Sequence, residues 1–92
     1  MRSGARYVLS VDLSDKLISL YEVKTQNNSS RHVNLLLKMS RSKKSNKKLK
    51  LFWSNEAGGC ERYIFLSSKE REVFYEACWV ARSHLTRVVC ID

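Results

Sequence analysis

The hydrophobic residues change period once, near Ser67, and that change constrains the fold more than any other feature of the chain. Before it, apolar side chains recur at every second position in short runs separated by polar turns; after it, they recur at every third or fourth. Side chains alternate across a strand and return about every 3.6 residues around a helix. The chain therefore reads as a series of short strands followed by one helix. With 92 residues it has room for a single hydrophobic core.

"YVLSVDL" sets Tyr7, Leu9, Val11 and Leu13 on one face and Val8, Ser10 and Asp12 on the other, as in a half-buried strand. A turn at Ser14 and Asp15 leads into "KLISLYEV", Lys16 to Val23, and the short connection predicts a hairpin. "KTQNNSSR" reads as a break, because Asn, Ser and Thr side chains compete for backbone hydrogen bonds. "HVNLLLKM" alternates Val33, Leu35, Leu37 and Met39, while "KKLKLFW" alternates Leu49, Leu51 and Trp53 against Lys48, Lys50 and Phe52; these are a third and a fourth strand. The alternation assigns Trp53 to the core. Gly58 and Gly59 suit a turn with positive φ, and "RYIFL" is a fifth strand.

From "SSKEREVFYEACWVARSHL", Phe74, Ala77, Cys78, Ala81 and Leu85 share one helix face, which Val73 and Val80 widen. Ser67 and Glu70 form a capping box, so the helix is expected to start at Ser68. Tyr75 and Trp79 fall beside or outside the buried stripe. They are candidates either for packing on the helix flank or for a protein interface, where aromatic residues are enriched. "RVVCID" at the end resembles one more short strand. The expected organisation is a domain over residues 1–85, with residues 86–92 a linker or the first strand of a following domain.

Charge is the second constraint. Between Lys38 and Lys50 the sequence "KMSRSKKSNKKLK" holds seven basic and no acidic residues, and so carries nearly all of the net charge of +8. Lys38, Arg41, Lys43, Lys44, Lys47, Lys48 and Lys50 are thus candidates for contact with an anionic lipid surface, where each basic residue contributes roughly 1 kcal/mol. The same electrostatics serve nucleic acid, but the run has no interleaved aromatic on which a base would stack. A solvated hairpin connection that suppresses edge pairing, or a nuclear-import address, remains open as an alternative.

Catalytic and metal-binding patterns are not found. The three cysteines, Cys60, Cys78 and Cys90, are widely spaced and suggest neither a disulfide framework nor a zinc site, which favours a reducing interior. Cys78 on the helix stripe reads as a small hydrophobe, and Cys60 in the Gly-Gly loop as exposed. His32 and His84 have no companion at metal-ligand spacing, and Asp12 and Asp15 flank a turn. No Walker loop or nucleophile elbow occurs, so no catalysis and no cofactor are expected of these residues. The N-terminus lacks an apolar targeting segment, and no stretch approaches a membrane span, so any membrane contact is expected to be peripheral and cytoplasmic.

Two stretches give the pattern a family likeness. "RYVLSVDLSDKLISLYEV" resembles the second and third strands of a pleckstrin-homology (PH) domain, and "RYIFLSSKEREVFYEACWVAR" resembles its last strand and helix, with Phe74 where most members have Trp. The order "LSVDLSDKLISL", "SSRHVNLLLKM", "NKKLKLF", "ERYIFLSSKEREVF" is similar to the PH-related domain that precedes the catalytic domain of SH2-containing inositol polyphosphate 5-phosphatases. The resemblance implies an α+β fold: a PH-like antiparallel β-sheet or partly open barrel of about five to six strands, capped by one C-terminal α-helix. It also implies a non-catalytic module that contacts an anionic membrane or phosphoinositide, or docks on an adjacent catalytic domain using Mg²⁺ of its own. Arg6 matches the arginine that closes the usual PH phosphoinositide site, with Lys24, Arg31 and Arg62 as possible neighbours and Glu56 and Glu61 opposing them. A PH barrel has seven strands; nothing before Arg6 supplies the first, and the fifth must be vestigial or hidden in the basic run. Counting strands from the turn at Leu13 to Lys16 puts that turn and the basic run at one end of the sheet, and "TQNNSSR" and "SNEAGGC" at the other.

Overall fold

The computed structural model describes the backbone of residues 6–91 and the side chains of residues 6–82. The fold is α+β, as expected: two antiparallel three-stranded sheets followed by one C-terminal helix. Strands β1 (Tyr7–Asp12), β2 (Leu17–Glu22) and β3 (Asn27–His32) form the first sheet in sequence order. Strands β4 (Leu36–Arg41), β5 (Lys48–Trp53) and β6 (Cys60–Ile64) form the second, and α1 spans Ser68–Ile91.

The β1–β2 hairpin is closed by Asp12, whose Oδ1 accepts the backbone N–H of Ser14 at 2.9 Å and of Asp15 at 3.0 Å. Lys16 then takes a positive φ of 59°. Leu9 and Val11 turn toward the core, and Ile18, opposite Val11, is fully buried.

The segment after β2 differs from expectation. "KTQNNSSR" is not a break throughout: the turn shrinks to residues 23–26, with Gln26 at φ 60°, and the polar residues Asn27–His32 form β3. The open edge of β2 offers a full row of N–H and C=O groups, and ladder bonding to it outweighs the local side-chain competition. Ser19 and Ser30, directly opposite, share a hydroxyl–hydroxyl bond of 2.8 Å.

The expected third strand is also modified. Val33–Leu35 form a single 3-10 turn as the chain passes between sheets, with His32 Nδ1 accepting the Asn34 N–H at 3.1 Å. A register shift between Leu36 and Lys38 then bulges Leu37 outward. Simple alternation fails here, because the residues that enter the core are Val33 and Leu36, with Met39 packed against it, while Leu35 and Leu37 are exposed.

The rest of the strand pattern follows the sequence. Leu49, Leu51 and Trp53 are all buried. Gly58 and Gly59 have φ of 120° and 71° after a 3-10 turn at Asn55–Ala57. β6 begins two residues earlier than "RYIFL" suggests.

Helix α1 starts where the capping box places it, with Ser67 Oγ accepting the Glu70 N–H at 3.2 Å. Phe74, Cys78 and Ala81 complete the core, Ala77 is half-buried, and Phe74 meets the Phe65 ring at 5.7 Å. Val73 and Val80 are exposed and do not widen the buried stripe; its fourth inward position is Arg71, only 8% exposed. The Leu85 and His84 side chains lie outside the described residues. Over "RVVCID" the backbone is helical up to Ile91, in place of the expected strand. No Gly or Pro after Gly59 provides a stop signal.

The additional strand β3 changes which turns share an end of the sheets. His32 pairs with Leu17, so β3 finishes beside the Leu13–Lys16 turn, and Arg31 there donates to Ala57 O at 2.8 Å. The Asn55–Ala57 turn thus shares that end, while the basic run lies at the opposite end of the second sheet, beside the start of α1.

Candidate anion-binding face

Alternation along β5 turns Leu49, Leu51 and Trp53 inward, so Lys48, Lys50 and Phe52 must face out. Register then brings their neighbours to the same surface. Lys38 lies opposite Phe52 and Ser40 opposite Lys50 on β4; Cys60, Arg62 and Ile64 lie opposite Phe52, Lys50 and Lys48 on β6. The outer face of the second sheet is therefore cationic, with Lys38, Lys48, Lys50 and Arg62 projecting from three adjacent strands. Among the described residues none of these four has an acidic partner. Lys50 and Arg62 are directly opposite, an arrangement that like charges disfavour. A shallow hollow of about 570 Å³ lies among Ser40, Lys43, Lys48, Lys50 and Arg62.

The loop at the end of this face is built rather than merely solvated. Ser42 Oγ accepts the N–H groups of Lys44 and Ser45 at 3.2 and 3.1 Å, and Ser45 Oγ accepts that of Lys47 at 3.3 Å. From below, the buried Arg71 donates to the carbonyls of Ser45 and Lys48 at 3.1 and 3.3 Å, and the Phe65 N–H donates to Lys47 O at 2.8 Å. These bonds fix the backbone and leave Lys43, Lys44 and Lys47 exposed.

Arg41 belongs elsewhere. Opposite Leu49, it turns to the helix side, pairs with Glu72 at 2.7 Å and lies 4.3 Å from the Tyr75 ring centroid. Bonding to Arg71 and then to Arg41 holds the Glu72 carboxyl below the usual carboxylate range. Its role is to dock α1 on β4.

Nor does Arg6, exposed at the start of β1, gain Arg31 as a free cation. Arg31 Nη1 and Nη2 bind Glu61 at 3.1 and 2.8 Å, and its guanidinium stacks 4.0 Å from the Trp53 ring. Arg62, a second of the three proposed neighbours, points to the outer face of the second sheet, while the third, Lys24, is exposed in the turn after β2, where the Val23 N–H bonds the Arg6 carbonyl at 3.0 Å. Between β1 and β6 the sheets are not hydrogen-bonded; Tyr7 and Tyr63 meet edge to face at 6.4 Å across the gap.

Of the candidate interface pair, Tyr75 packs against the core, whereas Trp79 is 46% exposed. The two rings meet edge to face at 6.3 Å, and Arg82 lies 5.3 Å from Trp79. Burial pushes the Cys78 thiol up to about 12, in keeping with a small apolar residue. Among the described residues no group of His, Cys, Asp and Glu is arranged to hold a metal ion, and no helix is long and apolar enough to cross a membrane.

The sequence sets Lys48 and Lys50 opposite the core residues of one strand and places Lys38 in the strand before it, but it does not show Arg62 as their neighbour. The alternation of β5 signals Lys48 and Lys50, whereas Lys38 lies on β4 and reaches this face through its register with Phe52. Arg62 depends on the register of β6. In comparisons with known proteins, no family model matches the chain and no curated protein matches it.

Proposed function

We propose that this chain is a non-catalytic, PH-like module that binds an anionic membrane through the outer face of its second sheet. The carrying observation is the array of Lys38, Lys48, Lys50 and Arg62, which has no acidic partner among the described residues, continued by Lys43, Lys44 and Lys47 in an ordered loop. The backbone that carries these cations is already ordered, so an approaching anionic surface restricts only their side chains. Two three-stranded sheets and a C-terminal helix are consistent with the PH resemblance, and β3 leaves one strand missing instead of two. On this reading the module is cytoplasmic and peripheral, and its parent is an inositol polyphosphate 5-phosphatase whose catalytic domain follows.

Co-sedimentation with phosphatidylcholine vesicles, with and without phosphatidylserine or a phosphoinositide, tests the proposal. The triple variant Lys48→Ala/Lys50→Ala/Arg62→Ala is expected to bind the anionic vesicles about 100-fold more weakly, at roughly 1 kcal/mol per basic residue. Equal binding by the variant and the original chain would sink it. Retention of nucleic acid but not vesicles would favour the alternative polyanion, although Phe52, the aromatic on this face, has the Lys38 ammonium 5.4 Å from its ring centroid and is not bare for stacking.

A second reading is favoured by Trp79. Its exposed ring on α1 suits docking of an adjacent catalytic domain, which the chain would enter on leaving the helix. In that case Trp79→Ala would lower the activity or solubility of the longer protein without changing vesicle binding.

A further inference from the structure

The end of β6 carries a feature that charge alone does not explain. Ile64 is 62% exposed and Leu66 is 86% exposed, on either side of Phe65, which turns inward onto Phe74. Two bulky aliphatic side chains thus project where the strand leaves the sheet. Their neighbours are cations: Ile64 lies directly opposite Lys48 on the outer face, and the Phe65 N–H bonds the Lys47 carbonyl at 2.8 Å. Lys43 shares the adjoining hollow with Ile64.

We infer that Ile64 and Leu66 form an apolar prong that enters the headgroup and upper acyl region of an anionic bilayer, while Lys43, Lys44, Lys47 and Lys48 hold the phosphates around it. The inference rests on the membrane reading above and adds to it a point and a mode of entry. An aliphatic pair beside a dense group of lysines matches the two layers of a charged membrane, apolar beneath and anionic above. A nucleic acid or an acidic peptide would match only the lysines. The prong is also braced: Phe65 between the two residues is packed, and Arg71 fixes the loop beside them. Insertion therefore requires no rearrangement of the sheet.

Charge contacts are screened by salt, whereas burial of apolar surface is not. The full 92-residue chain is expected to keep part of its binding to phosphatidylcholine–phosphatidylserine vesicles at high salt. The double variant Ile64→Ser/Leu66→Ser is expected to bind at least about tenfold more weakly at low and high salt alike, so that its high-salt binding, the part charge does not supply, is lost. Leu66→Phe, which keeps the apolar bulk, should retain it. Both positions are exposed, so thermal unfolding of each variant should match the parent and exclude misfolding as the cause. If parent and double variant bind with the same affinity at every salt concentration, the prong is overturned and the electrostatic face stands. If neither binds vesicles even at low salt, the membrane reading and the prong fail together.

Discussion

Arg31 on β3 and Glu61 on β6 join the two sheets through a two-pronged ion pair, with Arg31 Nη1 and Nη2 at 3.1 and 2.8 Å from the two carboxylate oxygens. Glu61 Oε1 also accepts Trp53 Nε1–H at 3.1 Å and the Tyr63 hydroxyl at 2.7 Å. One carboxylate thus organises a cation and two aromatic side chains at the seam between the sheets. Burial alone would raise its pKa, but the bonds from Arg31 and Tyr63 outweigh burial and hold it below the usual range.

The pH dependence follows from that direction. A carboxyl whose folded pKa is depressed contributes stability that is complete above its unfolded value and is lost as pH falls through the folded value. Glu61→Gln is expected to cost about 1–2 kcal/mol near neutrality, allowing for partial solvent screening of the pair. Urea unfolding at a series of acidic pH values should show the gap between variant and parent closing as pH drops below the ordinary carboxylate range. A gap constant with pH would mean that packing, and not the charge, accounts for the loss.

Arg71 makes a different prediction, because it joins stability to the shape of the basic loop. Removing it takes the Arg71 donor from the Ser45 carbonyl and leaves the Lys48 carbonyl with the Ser42 N–H at 3.2 Å, and Arg71→Met should cost about 2 kcal/mol. The same change should speed hydrogen exchange of the loop amides at Lys44, Ser45 and Lys47 beyond the effect on β5. Uniform acceleration across the chain would indicate general destabilisation and no special hold on the loop.

How much of this was legible in the sequence differs from element to element. β5 could be read outright, because Leu49, Leu51 and Trp53 alternate with two lysines. The helix start could be read from Ser67 and Glu70. β3 could not: "NNSSRH" has no hydrophobic period, and only the hydrogen-bonding demand of the free β2 edge makes it a strand. Val33 to Leu37 misled because one 3-10 turn and one bulge shift the parity of four apolar residues. The cationic face required knowing which β6 residue lies opposite Lys50, a relation between distant segments that local pattern does not contain. Arg71 on the buried stripe was invisible for the same reason, since its acceptors are loop carbonyls more than twenty residues upstream.

The two tryptophans provide a contrast within one chain. Trp53 is 2% exposed and bonded to Glu61, so Trp53→Ala should cost about 3–5 kcal/mol or prevent folding. Trp79→Ala should cost no more than about 1 kcal/mol, mainly the edge-to-face contact with Tyr75. Thermal unfolding of both variants measures this directly. A loss at Trp79 as large as that at Trp53 would assign its ring to the fold and remove it as a docking residue.

Lys50 and Arg62 permit the sharpest separation of fold from function. Directly opposite on adjacent strands, the two cations repel, and Arg62→Thr substitutes a residue that suits a strand. The variant should be as stable as the parent or more stable by about 0.2–1 kcal/mol, since like charges facing across a ladder are unfavourable. Its affinity for anionic vesicles should nevertheless fall by about fivefold, the share of one basic residue near a charged leaflet. Opposite signs for stability and binding are what a surface shaped by its ligand produces, because the repulsion is relieved only when an anion lies between the charges. Loss of stability with unchanged vesicle binding would instead make Arg62 a structural residue and reduce the face to its lysines.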